Sequence, residues 1–64
     1  MNRIDCLIKG LTILRSYGND HQVTYMDGYL FAGPEDHSRI TDSHAKELND
    51  LGWHTTIFGW AFNL

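Results

Sequence analysis

Sixty-four residues with one cysteine, eight acidic and five basic side chains make a small chain of formal charge −3. At this length a single domain buries roughly 60% of its unfolded surface and its core contributes about 3–5 kcal/mol, so a partner or a second copy would add needed stability. The composition excludes an internal disulfide and offers no Cys/His zinc spacing, and Arg3, Lys9, Arg15, Arg39 and Lys46 are too scattered for the cationic surface that phosphate binding needs.

The first predicted element is a helix from about Asn2 to Tyr17. Asn2 is the cap, Asp5 lies three residues later in an approximate capping box, and Gly18 offers the stop. Ile4, Leu7, Ile8, Leu11 and Leu14 form the apolar stripe, which Cys6, Ile13 and Tyr17 widen on one flank. Gly10 lies inside that arc, where it either permits a close backbone approach or is simply tolerated at a cost of about 1 kcal/mol against alanine. Cys6 reads as a small core residue. Lys9, Gly10 and Arg15 interrupt the one apolar stretch that could suggest a membrane span or signal peptide, so a cytoplasmic protein is expected.

After the polar turn Gly18-Asn19-Asp20 comes a hairpin. Gln22 to Met26 and Tyr29 to Ala32 flank Asp27-Gly28, the preferred type I′ pair. The expected register sets Met26 against Tyr29, Tyr25 against Leu30, Thr24 against Phe31 and Val23 against Ala32. One face then carries Val23, Tyr25, Leu30 and Ala32, and the other Thr24, Met26, Tyr29 and Phe31. Both are apolar, so if helices cover only one, the second is an interface or additional core. Gly33-Pro34 ends the hairpin, and Glu35-Asp36-His37-Ser38-Arg39 reads as a solvated loop or a recognition loop.

The second helix has signals at both ends. Thr41 is its N-cap, Asp42 places negative charge in the first turn, and Ile40 with Ala45 makes a hydrophobic staple. His44, Ala45, Leu48 and Leu51 form the buried side, opposite Lys46, Glu47, Asn49 and Asp50. Gly52 suits the left-handed C′ position, and Trp53 follows at C″, able to pack on Leu48 in a Schellman arrangement. Trp53-His54-Thr55 then reads as a strand, Thr56 to Gly59 as a turn, and Trp60 to Leu64 as a closing strand. Ile57 and Phe58 are unusually apolar for a turn, so the alternative is a longer strand with Gly59 at a bulge. The result is αββαββ, a single α+β domain with two helices packed on a mostly antiparallel sheet.

Chemistry is sparse. His21, His37, His44 and His54 show no recognised ligand spacing, and adjacent Asp36, His37 and Ser38 seldom reach triad geometry. His44 and His54 are expected to approach each other across the helix–strand joint as a structural pair. No glycine-rich phosphate loop is present, and neither a cofactor nor a metal is expected.

The segment ITDSHAKELNDLGWH, followed by GWAF and preceded by an apolar strand ending in Gly-Pro, resembles the ending of many short bacteriophage and prophage proteins. The likeness covers the last half of the chain, where Thr55-Thr56-Ile57-Phe58 replaces the usual acidic turn. It implies phage origin and, by analogy of class, stoichiometric binding to a host protein, as in anti-CRISPR inhibitors. The expected function is therefore a non-catalytic protein-binding module, a phage-encoded inhibitor of a host defence or regulatory complex, with no direct nucleic-acid or membrane binding. Met26, Tyr29 and Phe31 would form its binding surface, joined by Glu35 and Asp36. An alternative closes a homodimer through the same face, and a third reading, a small metal-dependent enzyme, requires His37, His44 or His54 to converge.

Overall fold

The computed structural model describes residues 2–18, 23–34, 36 and 39–64. Its elements run α1 (Arg3–Arg15), β1 (Thr24–Met26), β2 (Tyr29–Ala32), α2 (Asp42–Asp50), β3 (Trp53–Thr56) and β4 (Gly59–Asn63). The four strands form one antiparallel sheet in the order β1-β2-β4-β3, with both helices on one of its faces. The expected α+β architecture is present.

Each helix is delimited by its own sequence. The Asn2 side chain accepts a hydrogen bond from the Asp5 N–H at 2.8 Å, and Gly18 follows the last turn of α1 with φ 140°. Thr41 caps α2 by accepting from the His44 N–H at 3.2 Å, while Ile40 is buried beside it. At the other end Gly52 takes φ 98°, and its N–H donates to the Asn49 carbonyl, one of the two bonds of the Schellman motif. Thr41→Ala is expected to lower stability by about 1 kcal/mol, seen as a lower urea midpoint with an unchanged slope. An unchanged midpoint would mean that water replaces the cap without loss.

The first hairpin has the expected register: Thr24 faces Phe31, Tyr25 faces Leu30 and Met26 faces Tyr29. Asp27 and Gly28 take φ 54° and 84°, the positive values a type I′ turn demands. Val23 lies just outside the strand. The polar turn at Asn19 and Asp20, and the residues Glu35, His37 and Ser38 of the charged loop, lie outside the described residues.

The second hairpin turns within the expected Thr56–Gly59 segment, one residue tighter at each end. Thr56 and Gly59 are paired strand residues, and the turn is Ile57-Phe58 alone. The Thr56 hydroxyl holds it, donating to the Gly59 carbonyl at 2.8 Å and accepting from the Phe58 N–H at 3.1 Å. Gly59 has φ 108°, in keeping with a turn closed by a left-handed glycine at a bulge. Side-chain bonding thus replaces the turn chemistry that Ile57 and Phe58 lack.

The core lies between the helices and the sheet. Leu48, Trp53 and Trp60 are its largest fully buried side chains, joined by Leu14, Ile40, Leu51 and Phe62. Pairing of Trp53 with Phe62 and of Leu30 with Phe62 puts all three on the helix-facing side. The Trp53 indole crosses to α1, where its Nε1–H donates to the Cys6 carbonyl at 3.2 Å and its ring lies against Gly10. Gly10 is therefore a site of close approach. Cys6, half-buried, packs against the core rather than within it.

Candidate functional site

Because successive strand residues alternate between faces, burying Leu30, Ala32, Trp53, Trp60 and Phe62 under the helices sends their neighbours the other way. The opposite face carries Thr24 and Met26 from β1, Tyr29 and Phe31 from β2, Ala61 and Asn63 from β4, and His54 and Thr56 from β3. No helix covers it. The predicted trio Met26, Tyr29 and Phe31 is thus together on a helix-free face, with Met26 43% exposed and the two rings half-buried.

The half-burial comes from aromatic neighbours. His54 meets Tyr29 edge-on at 5.7 Å between centroids, Tyr29 lies 6.3 Å from Phe31, and Phe31 meets Phe58 edge-on at 5.8 Å. These four rings form a connected row across the sheet. Ala61 sits opposite both Phe31 and His54 and is fully buried, so a small residue lies at the base of the row. Edge-to-face pairs of this kind contribute about 0.5–1.5 kcal/mol beyond area burial and fix the orientation of the rings. At one end the Ile57-Phe58 turn projects, with Ile57 81% and Phe58 53% exposed.

Phe58 and His54 belong to this surface but were not among the predicted site residues. Counting alternately from Trp53 would have placed His54 and Thr56 opposite it. Phe58 lies inside the expected Thr56–Gly59 turn, and its position against Phe31 follows from the pairing of Thr56 with Gly59, which composition does not specify. Glu35 lies outside the described residues. Asp36 is exposed, and its carbonyl accepts from the Arg39 N–H at 3.2 Å.

The expected approach of His44 to His54 does not occur. His44 belongs to the helix layer, where its Nδ1 lies 2.6 Å from the Tyr17 hydroxyl, whereas His54 is on the far face of the sheet with Tyr29. The cause is again alternation: Trp53 is committed to the core, so the next residue points away. The Tyr17 hydroxyl also accepts from the Thr41 N–H at 3.1 Å. Tyr17, just beyond α1, therefore ties that end of the helix to the start of α2. Among the described residues no three His, Cys, Asp or Glu side chains gather in a metal-binding group. His37 and Ser38, needed for the triad and for one arrangement of the metal reading, lie outside them.

A groove between the helices is lined by Cys6, Lys9, Glu47, Asp50 and Leu51. Its lining combines one thiol with an ammonium and two carboxylates. No helix is long and apolar enough to cross a membrane among the described residues. No family model, curated protein or solved structure matches the chain.

Proposed function

We propose that the protein is a non-catalytic binding module that captures a protein partner on the helix-free face of its sheet. The observation that carries this is the row His54, Tyr29, Phe31 and Phe58, flanked by the exposed Met26 and Ile57. Aromatic and methionine side chains are enriched at the centres of protein interfaces because they bury much apolar area at small conformational cost.

The chemistry of the face also favours one class of partner. Thr24, Met26, Tyr29, Phe31, His54, Thr56, Phe58, Ala61 and Asn63 include no Lys, Arg, Asp or Glu. Single-stranded nucleic acid uses aromatic stacking too, but it needs cations beside the rings to track phosphates. An uncharged apolar patch on a protein fits better. A host protein bound stoichiometrically, as the phage-like ending suggests, is the form of this reading that we adopt.

Replacing Met26 and Phe58 together by serine is expected to abolish partner capture at a cost of about 1–2 kcal/mol in stability, since both are about half exposed and the Phe31–Phe58 contact is lost. The measurement is affinity capture from host lysate by the original and substituted chains, with partners identified by mass and unfolding followed by tryptophan fluorescence. A partner retained equally by both chains would remove this face from the proposal.

A further inference from the structure

The sheet has two outer strands, and they are protected very differently. On β3 the helix-facing Trp53 is buried and its exposed neighbours His54 and Thr55 are polar. On β1 the helices stop short: Val23 is 58% and Tyr25 63% exposed on the helix side, and Met26 43% on the other. The flank of α1 beside it is apolar as well. Cys6 and Tyr17 turn toward α2 and Gly10 sits on Trp53, so helical geometry puts Ile4 and Ile8 on the flank away from α2, where both are more than half exposed. Leu11 and Arg15, on that same flank, line a groove with Val23.

The hairpin register determines which backbone groups the β1 edge presents. Met26 and Tyr29 flank a two-residue turn and exchange hydrogen bonds, so Tyr25 and Leu30 form the pair between bonded pairs. The N–H and C=O of Tyr25 consequently point away from β2. The Leu64 N–H donates to the Gly28 carbonyl, which independently places the even-numbered residues of β2 in the ladder with β4 and leaves the odd-numbered ones for β1. An edge with unpaired backbone groups and apolar side chains on both faces is a template for another strand.

We propose that two copies of the chain pair antiparallel through β1 about a two-fold axis at Tyr25, joining their four-stranded sheets into one. The edge is self-complementary in this register. Each Tyr25 exchanges both backbone bonds with its counterpart, and Thr24 faces Met26 in both directions. No charge lies from Val23 to Met26 to oppose itself, and the segment lacks the lysine or proline that guards many natural edges. Ile4, Ile8, Val23, Tyr25 and Met26 are 67%, 55%, 58%, 63% and 43% exposed, a contiguous apolar strip that forms the centre of the about 800 Å² per partner a standard interface buries. The Tyr25 pair would lie between the two α1 flanks and bury the apolar strip that the single copy leaves open. The aromatic row remains free and is repeated on the same side of the enlarged sheet.

Sedimentation equilibrium of the full chain at micromolar concentration is expected to give twice the chain mass. Tyr25→Lys and Tyr25→Glu should each sediment as the monomer with unchanged circular dichroism, because like charges then meet at the axis. An equimolar mixture of these two variants should return to the dimer mass, while Phe58→Ser alone should leave the dimer intact. A monomer at every concentration, persistence of the dimer in either Tyr25 variant, failure of the mixture to associate, or dissociation by Phe58→Ser would each overturn the proposal.

Discussion

Gly10→Ala is expected to destabilise the domain by about 2–3 kcal/mol, although helix propensity alone would make the same change favourable by about 1 kcal/mol. A β-carbon there would overlap Nε1 and Cε2 of the Trp53 indole and lie 2.7 Å from its Cδ1. Trp53 has little room to retreat, being 1% exposed, packed against Phe62 at 5.2 Å between centroids and bonded to the Cys6 carbonyl. Accommodation therefore requires α1 to lift from the sheet or the indole to give up its hydrogen bond, itself a loss of about 1 kcal/mol. Against a total of about 3–5 kcal/mol, the variant would sit close to its unfolding midpoint at room temperature. Urea titration reads the loss directly. Adding Trp53→Leu should make the Gly10→Ala change nearly neutral, a coupling expected of residues in contact. A gain in stability from Gly10→Ala alone would mean that the helix and indole separate at little cost.

Local chemistry is sufficient to specify the first hairpin and the helix ends. Asp27-Gly28 specifies both a turn type and a strand register, and the Asn2, Thr41 and Gly52 signals mark helix ends without reference to distant residues. Local chemistry is insufficient where the deciding partner is remote or unconventional. Gly10 has no local explanation because Trp53, which accounts for it, belongs to the opposite layer. Ile57 and Phe58 lie in the expected turn yet leave a longer strand open as the alternative, because the turn is held by the Thr56 hydroxyl and closed by Gly59, a device invisible to composition. Phe58 reaches the candidate site because the turn is one residue tighter at each end than the expected Thr56–Gly59 segment. For Met26, Tyr29 and Phe31 the alternation was legible, but the choice of covered face depends on the helices siding with Leu30 and Trp53. That is a tertiary decision.

Gly59→Ala should cost about 3 kcal/mol, and Gly28→Ala supplies the reference that explains why. Both glycines occupy left-handed backbone, at φ 108° and 84°, where an L side chain costs about 1–2 kcal/mol. At Gly28 nothing lies within 4 Å of an added β-carbon, so backbone strain is the whole expected effect. At Gly59 the same carbon would lie 3.1 Å from the carbonyl oxygens of both Ala32 and Gly33 and 3.5 Å from that of Pro34. These are main-chain atoms at the end of β2, adjoining the Ala32–Trp60 pairing, and they cannot swing aside as a side chain can. Relief would come from displacing the Ile57-Phe58 turn, which breaks the Thr56 bonds and withdraws Phe58 from Phe31. Gly59→Ala should therefore weaken partner capture as well as stability, whereas Gly28→Ala should lower the urea midpoint alone. Equal losses at the two positions would show that the three carbonyls yield readily and that Gly59 is required for its backbone angle only.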